Sequence, residues 1–85
     1  MIVYLDTSAL VLLVIEEPSS DACRRLWDEA DDAVSSRLGY VEAAAAFAQA
    51  RRLERLTSRQ QSSALRGLDD LWSQVQIAEI DQSLV

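Results

Sequence analysis

Ile2-Val3-Tyr4-Leu5-Asp6-Thr7-Ser8-Ala9-Leu10 is the stretch on which the reading of the fold turns. Its first four residues form a continuous apolar run, rich in β-formers and too short for a helix. That is the pattern of a parallel strand covered on both faces. Asp6 ends the run. From Thr7 the apolar spacing lengthens through Ala9, Leu10, Leu12, Leu13 and Val14 to Glu16-Glu17-Pro18, which predicts a short buried helix ending before the proline. Asp6 therefore falls at the carboxyl end of a strand, the rim where open α/β sheets gather their ligands.

Working outward, Ser19 or Ser20 can cap a second helix, whose apolar positions Ala22, Cys23, Leu26, Trp27 and Ala30 make one stripe with Arg24, Arg25, Asp28 and Glu29 outside it. Residues 33–36 follow an Asp31-Asp32 turn and read as a second strand. A long helix is expected from about residue 38 to residue 56. The next begins at Thr57-Ser58, with Ser58 and Gln61 forming a capping box, and Ala64, Leu65, Leu68, Leu71, Trp72 and Val75 keep its stripe. Residues 76–80 read as a third strand. Asp81 is placed to cap a further helix, of which Gln82-Ser83-Leu84-Val85 would supply about one turn. Strands separated by helices imply a parallel sheet with right-handed crossovers. Three strands leave two at exposed edges, whereas a fully apolar first strand wants neighbours on both sides. The expectation is that residues 1–85 form one incomplete domain, truncated after the third strand, with at least one strand still to come.

Composition narrows the chemistry. With 85 residues, 49% of them apolar, the chain can build a single small domain. Two glycines, one proline and 26% charged residues are ordinary for a globular protein, and no repeat or low-complexity segment interrupts it. No stretch approaches the ~18 unbroken apolar residues of a membrane span, and residues 1–5 are too short and insufficiently basic for a signal segment. The expected location is cytoplasmic, with no membrane association. Cys23, the single cysteine, has no internal disulfide partner and sits on an apolar helix face, as a small core residue would. Histidine is absent, which removes the commonest general base, the usual zinc nitrogen ligand and every Ser-His or Cys-His dyad from this chain. Any chemistry must rest on carboxylates. Fourteen acids against eight arginines give a net charge of −6, which argues against unaided nonspecific binding of nucleic acid by the whole surface.

Two carboxylates stand out. Asp6 has two readings, a cap for the helix that follows and a site residue at the strand rim; the local pattern alone favours the cap. Glu42 lies in the nearly uncharged segment from Leu38 to Phe47, and its helical neighbours Leu38, Gly39, Ala45 and Ala46 offer no cation. An inward-facing carboxylate in such a setting needs a metal ion, a distant arginine or a raised pKa. Two acids converging from separate elements repel one another unless a cation lies between them, and hard oxygen ligands suit Mg²⁺ or Mn²⁺ rather than zinc. Arg51, Arg52, Arg55 and Arg59 crowd the end of the long helix. They could track a phosphate backbone, although a solvated face complementing the helix C-terminus is the better reading. Trp27 and Trp72 lie on core stripes, so packing is preferred to base stacking.

Met1-Ile2-Val3-Tyr4-Leu5-Asp6-Thr7-Ser8-Ala9-Leu10, together with Ser35-Ser36-Arg37-Leu38-Gly39-Tyr40-Val41-Glu42, resembles the amino-terminal half of PIN-domain proteins, closest to VapC-type toxins. A strand ends in Asp-Thr-Ser, a second strand ends in serine six residues before a helical glutamate, and the spacing between the acids fits. The resemblance implies a doubly wound parallel α/β sheet with helices on both faces. It also implies a Mg²⁺-dependent (or Mn²⁺-dependent) endoribonuclease of a toxin–antitoxin system, usually a homodimer, acting on RNA and inhibited by a VapB-type antitoxin. It assigns Asp6 and Glu42 to the metal site and Ser8 to a supporting hydrogen bond, while a helix-start hydroxyl explains Ser8 equally well. It assigns no RNA-contacting residue here. The family's further acids come from the helix after the third strand and from the next strand, beyond residue 85, and Asp81 reads as a cap rather than a ligand. The 85 residues alone are expected to be inactive. A competing reading from another class is a noncatalytic interaction module whose groove binds a partner peptide.

Overall fold

A computed structural model describes residues 1–78. Strand β1 (Ile2–Tyr4) leads into helix α1 (Thr7–Val14), followed by α2 (Ser20–Glu29), β2 (Asp32–Ser35), α3 (Arg37–Arg52), α4 (Ser58–Trp72) and β3 (Gln76–Ile77). The strands form one parallel sheet in the order β1-β2-β3, with Val3 opposite Ala33, Tyr4 opposite Val34 and Ser35 opposite Ile77. Both expected crossovers are therefore present, and the class is α/β. The expectations for residues 79 and 80 as strand and for Asp81 as a cap lie outside the described residues.

Both crossovers step the same way along the sheet, and connections of the usual right hand then lay their helices on one face. Burial agrees. Leu5, Ala33 and Ser35 are buried and Val3 is half-buried, whereas Ile2 and Tyr4, pointing the other way, are 69% and 61% exposed. Among the described residues the helical cover is thus on one side, not on both as expected from the apolar run. The reason is topological: covering the second face needs a crossover that reverses direction, and residues 1–78 contain none.

The core lies between sheet and helices, where Leu5 and Ala33 meet Leu10 of α1, Ala43 and Phe47 of α3, and Ala64, Leu68 and Leu71 of α4. On α3 the buried residues Gly39, Ala43 and Phe47 recur every fourth position, which turns one face inward. The stripe predicted for α2 is shallower than its spacing implied, since Leu26 is 52% exposed and Cys23 only half-buried. Neither Ser19 nor Ser20 caps α2 in the ordinary way. Ser20 is buried, accepts a bond from the Glu17 N–H at 2.9 Å and donates to the Ile15 carbonyl at 3.0 Å, so it closes the α1–α2 turn.

Two boundaries differ from expectation. Helix α3 stops at Arg52, not near residue 56, because Glu54 takes a left-handed conformation (φ 60°). The Arg55 N–H then bonds back to the Ala50 carbonyl at 2.8 Å and the Glu54 N–H to that of Arg51 at 3.1 Å, the paired bonds of a Schellman termination. Glycine usually fills that position, so a glutamate there hides the stop signal. Helix α4 is capped one residue earlier than predicted, with Thr57 accepting from the Gln60 N–H at 3.1 Å while the Gln60 side chain accepts from the Thr57 N–H at 2.8 Å.

Candidate functional site

The carboxyl ends of β1 and β2 carry the N-termini of α1 and α3. Three bonds hold this rim together. The Leu5 N–H donates to the Val34 carbonyl at 2.8 Å, and the buried Ser35 hydroxyl donates to the Leu5 carbonyl at 2.6 Å. Ser36, extended at the head of α3, accepts from the Gly39 N–H at 3.1 Å. Gly39 lies directly over this junction: a Cβ there would come within 3.2 Å of the Ser35 hydroxyl and 3.4 Å of Leu10. Its missing side chain lets α3 sit close against β2 and α1. Residue 42, one turn further along α3, is thereby brought beside the start of α1.

Asp6 has extended backbone (φ −78°, ψ 178°) and its Oδ1 accepts from the Ala9 N–H at 2.9 Å. The cap reading therefore describes one oxygen of this side chain. Oδ2 makes no hydrogen bond among the described residues. Glu42 is exposed rather than inward-facing, and its Oε2 accepts from the Thr7 hydroxyl at 2.7 Å, leaving Oε1 without a protein partner among the described residues. Cap and site are thus compatible roles for Asp6. The residue next to it in the chain holds the second acid, and each carboxylate has one oxygen without a hydrogen bond among the described residues; only Asp6 stands at a helix N-terminus, where negative charge is favoured.

Ser8 is exposed and hydrogen-bonds to neither acid; the hydroxyl that reaches Glu42 is Thr7's. Nothing in the sequence pointed to Thr7, because a bond spanning 35 positions has no periodic signature. No group of three or more potential metal-ligating side chains occurs among the described residues. The arginines at the far end of α3 are turned to local partners, Arg51 to the Ser58 hydroxyl at 2.9 Å and Arg52 to the Gln49 side chain at 2.6 Å, while Arg55 and Arg59 are exposed. Arg51 and Arg52 sit about two and a half helical turns along α3 from Glu42. Trp72 stacks obliquely on Tyr40 with ring centres 5.2 Å apart, and Trp27 packs against the core. The Tyr40 hydroxyl donates to the Asp69 carboxylate, and that bond, reinforced by partial burial and the Asp69 charge, raises its pKa above the ordinary value. Both tryptophans are packing residues.

The architecture is a parallel α/β sheet with an aspartate at the end of its first strand and a helical glutamate brought beside the start of α1, and the PIN domain family matches residues 3–85. The chain belongs to that family. Among its relatives are Ribonuclease VapC45 of Mycobacterium tuberculosis (strain CDC 1551 / Oshkosh) and Ribonuclease VapC49 of Mycobacterium tuberculosis (strain ATCC 25618 / H37Rv). Each is 40% identical over 79 residues, a span that covers 93% of this chain and 55% of the relative. The chain therefore spans about half the length of the curated relatives it matches. No described helix is long and apolar enough to cross a membrane.

Proposed function

We propose that the full-length protein is a Mg²⁺-dependent (or Mn²⁺-dependent) endoribonuclease, the toxin of a VapBC-type pair, acting in the cytoplasm as a homodimer and held in check by a VapB-type antitoxin. The observation that carries this reading is the pairing of Asp6 and Glu42 through Thr7 at the strand rim, in a chain homologous to VapC ribonucleases. Its donor set fits a hard divalent cation. Mg²⁺ commonly takes one or two carboxylates and completes its shell with water and substrate phosphate, and each of these acids has an oxygen without a hydrogen bond among the described residues. Bound there, the ion would activate water and offset charge developing on a scissile phosphate.

The chain's own contribution is geometric. The Ala9 N–H fixes the plane of the Asp6 carboxylate, and the Thr7 hydroxyl fixes that of Glu42. With a net charge of −6, the bulk surface repels a polyanion, so attraction must be concentrated at the cation and not spread over the fold. Residues 1–85 by themselves are proposed to be inactive, since the resemblance implies further acids beyond these two.

The test is cleavage of RNA by the full-length protein with and without Mg²⁺. Asp6→Asn and Glu42→Gln are each expected to lower the rate by more than ~100-fold, beyond the loss usual for groups that merely support metal ligands. Unchanged circular dichroism would accompany the loss. Full activity in both variants would overturn the assignment, and activity undiminished by chelator would overturn the metal.

A further inference from the structure

We propose that Thr7 is a positioning residue for the metal site, acting through Glu42; this deepens the reading above and rests on it. The Thr7 hydroxyl donates to Glu42 Oε2 at 2.7 Å, and that carboxylate makes no other hydrogen bond or ion pair among the described residues. Glu42 is exposed, on a helix whose neighbouring positions 38, 39, 45 and 46 are uncharged. A glutamate with three rotatable bonds in such a place samples many orientations unless something holds it. Thr7 is suited to do so. It is the first residue of α1, where no preceding helical turn offers a carbonyl to compete for its hydroxyl, and its branched Cβ restricts rotation about χ1.

The chemistry of the donor matters as much as its place. An arginine or lysine at this position would hold Glu42 equally firmly but would neutralise it and compete with a cation. A hydroxyl is neutral. It occupies Oε2, leaves Oε1 open and leaves the full negative charge to attract a metal. The same strand-to-helix junction thus sets both acids, Asp6 by its own cap bond and Glu42 through the next residue along. Ser8, one position further, makes neither contact.

The measurement is Mn²⁺ affinity of the metal-free full-length protein by calorimetry, together with its unfolding temperature before metal is added. Thr7→Val keeps the shape and removes the donor, and is expected to weaken Mn²⁺ binding roughly tenfold, as loss of a ligand-supporting bond typically does. Thr7→Ser is expected to bind within about twofold of the parent, because it retains the hydroxyl. In a Glu42→Gln background Thr7→Val should have no further effect, the signature of two residues acting as one unit. The unfolding temperature should be nearly the same throughout, since an exposed bond adds little to stability. Parental Mn²⁺ affinity in Thr7→Val would overturn the inference while a weakened Glu42→Gln left the ribonuclease reading standing. A Thr7→Val loss that persists in the Glu42→Gln background would also overturn it, and parental affinity in Glu42→Gln would overturn both.

Discussion

The two faces of β1 are made from the same kind of residue and meet opposite fates. Val3 and Leu5 are covered by helices and join the core, while Ile2 and Tyr4, alternating with them, stand open to solvent. Hydrophobicity does not distinguish the two pairs; connectivity does. Successive crossovers in one direction deposit α1, α2, α3 and α4 on the same side. Asp6 inherits its position from this asymmetry, because the chain leaves the sheet towards the covered side and starts α1 there, within reach of α3.

Three substitutions in the 85-residue chain would break or sharpen that contrast, each read by urea denaturation. Phe47→Ala empties the middle of the covered side, where the ring is 1% exposed, and is expected to cost about 3–5 kcal/mol. An effect below 1 kcal/mol would show that the covered side is not a packed core. Ser35→Ala removes the buried donor to the Leu5 carbonyl and is expected to cost about 1–3 kcal/mol. Because that bond anchors the residue before Asp6, the same variant made in the full-length protein should also weaken metal binding. Tyr4→Ser, on the open face, should change stability by no more than ~0.5 kcal/mol. A larger loss would mean that something covers this face in solution, and sedimentation would reveal whether that is a second copy of the chain.

Much of the architecture was legible without coordinates. The hydrophobic period separates strands from helices, and the order of elements predicts the parallel sheet that is observed. Errors fell where local signals were silent. Glu54 ends α3 in a conformation that glycine would have announced, and α4 is capped by Thr57 although the following serine offered an equally good box. Asp6 was legible as a rim residue from its place after the apolar run, and Glu42 as an acid without charged helical neighbours. The partner of Glu42 was not, and the expected supporting hydroxyl was sought at Ser8, one residue from the one that makes the bond.

The sequence by itself determined the α/β class and the rim position of Asp6, because each depends on residue type and short-range period. Only the tertiary structure decided which face of the sheet is covered, and that Glu42 accepts from Thr7 while Asp6 gives one oxygen to its helix. Those outcomes depend on how close α3 can come to β2. That approach is set by a glycine against a buried serine, an encounter between distant positions that no local pattern records.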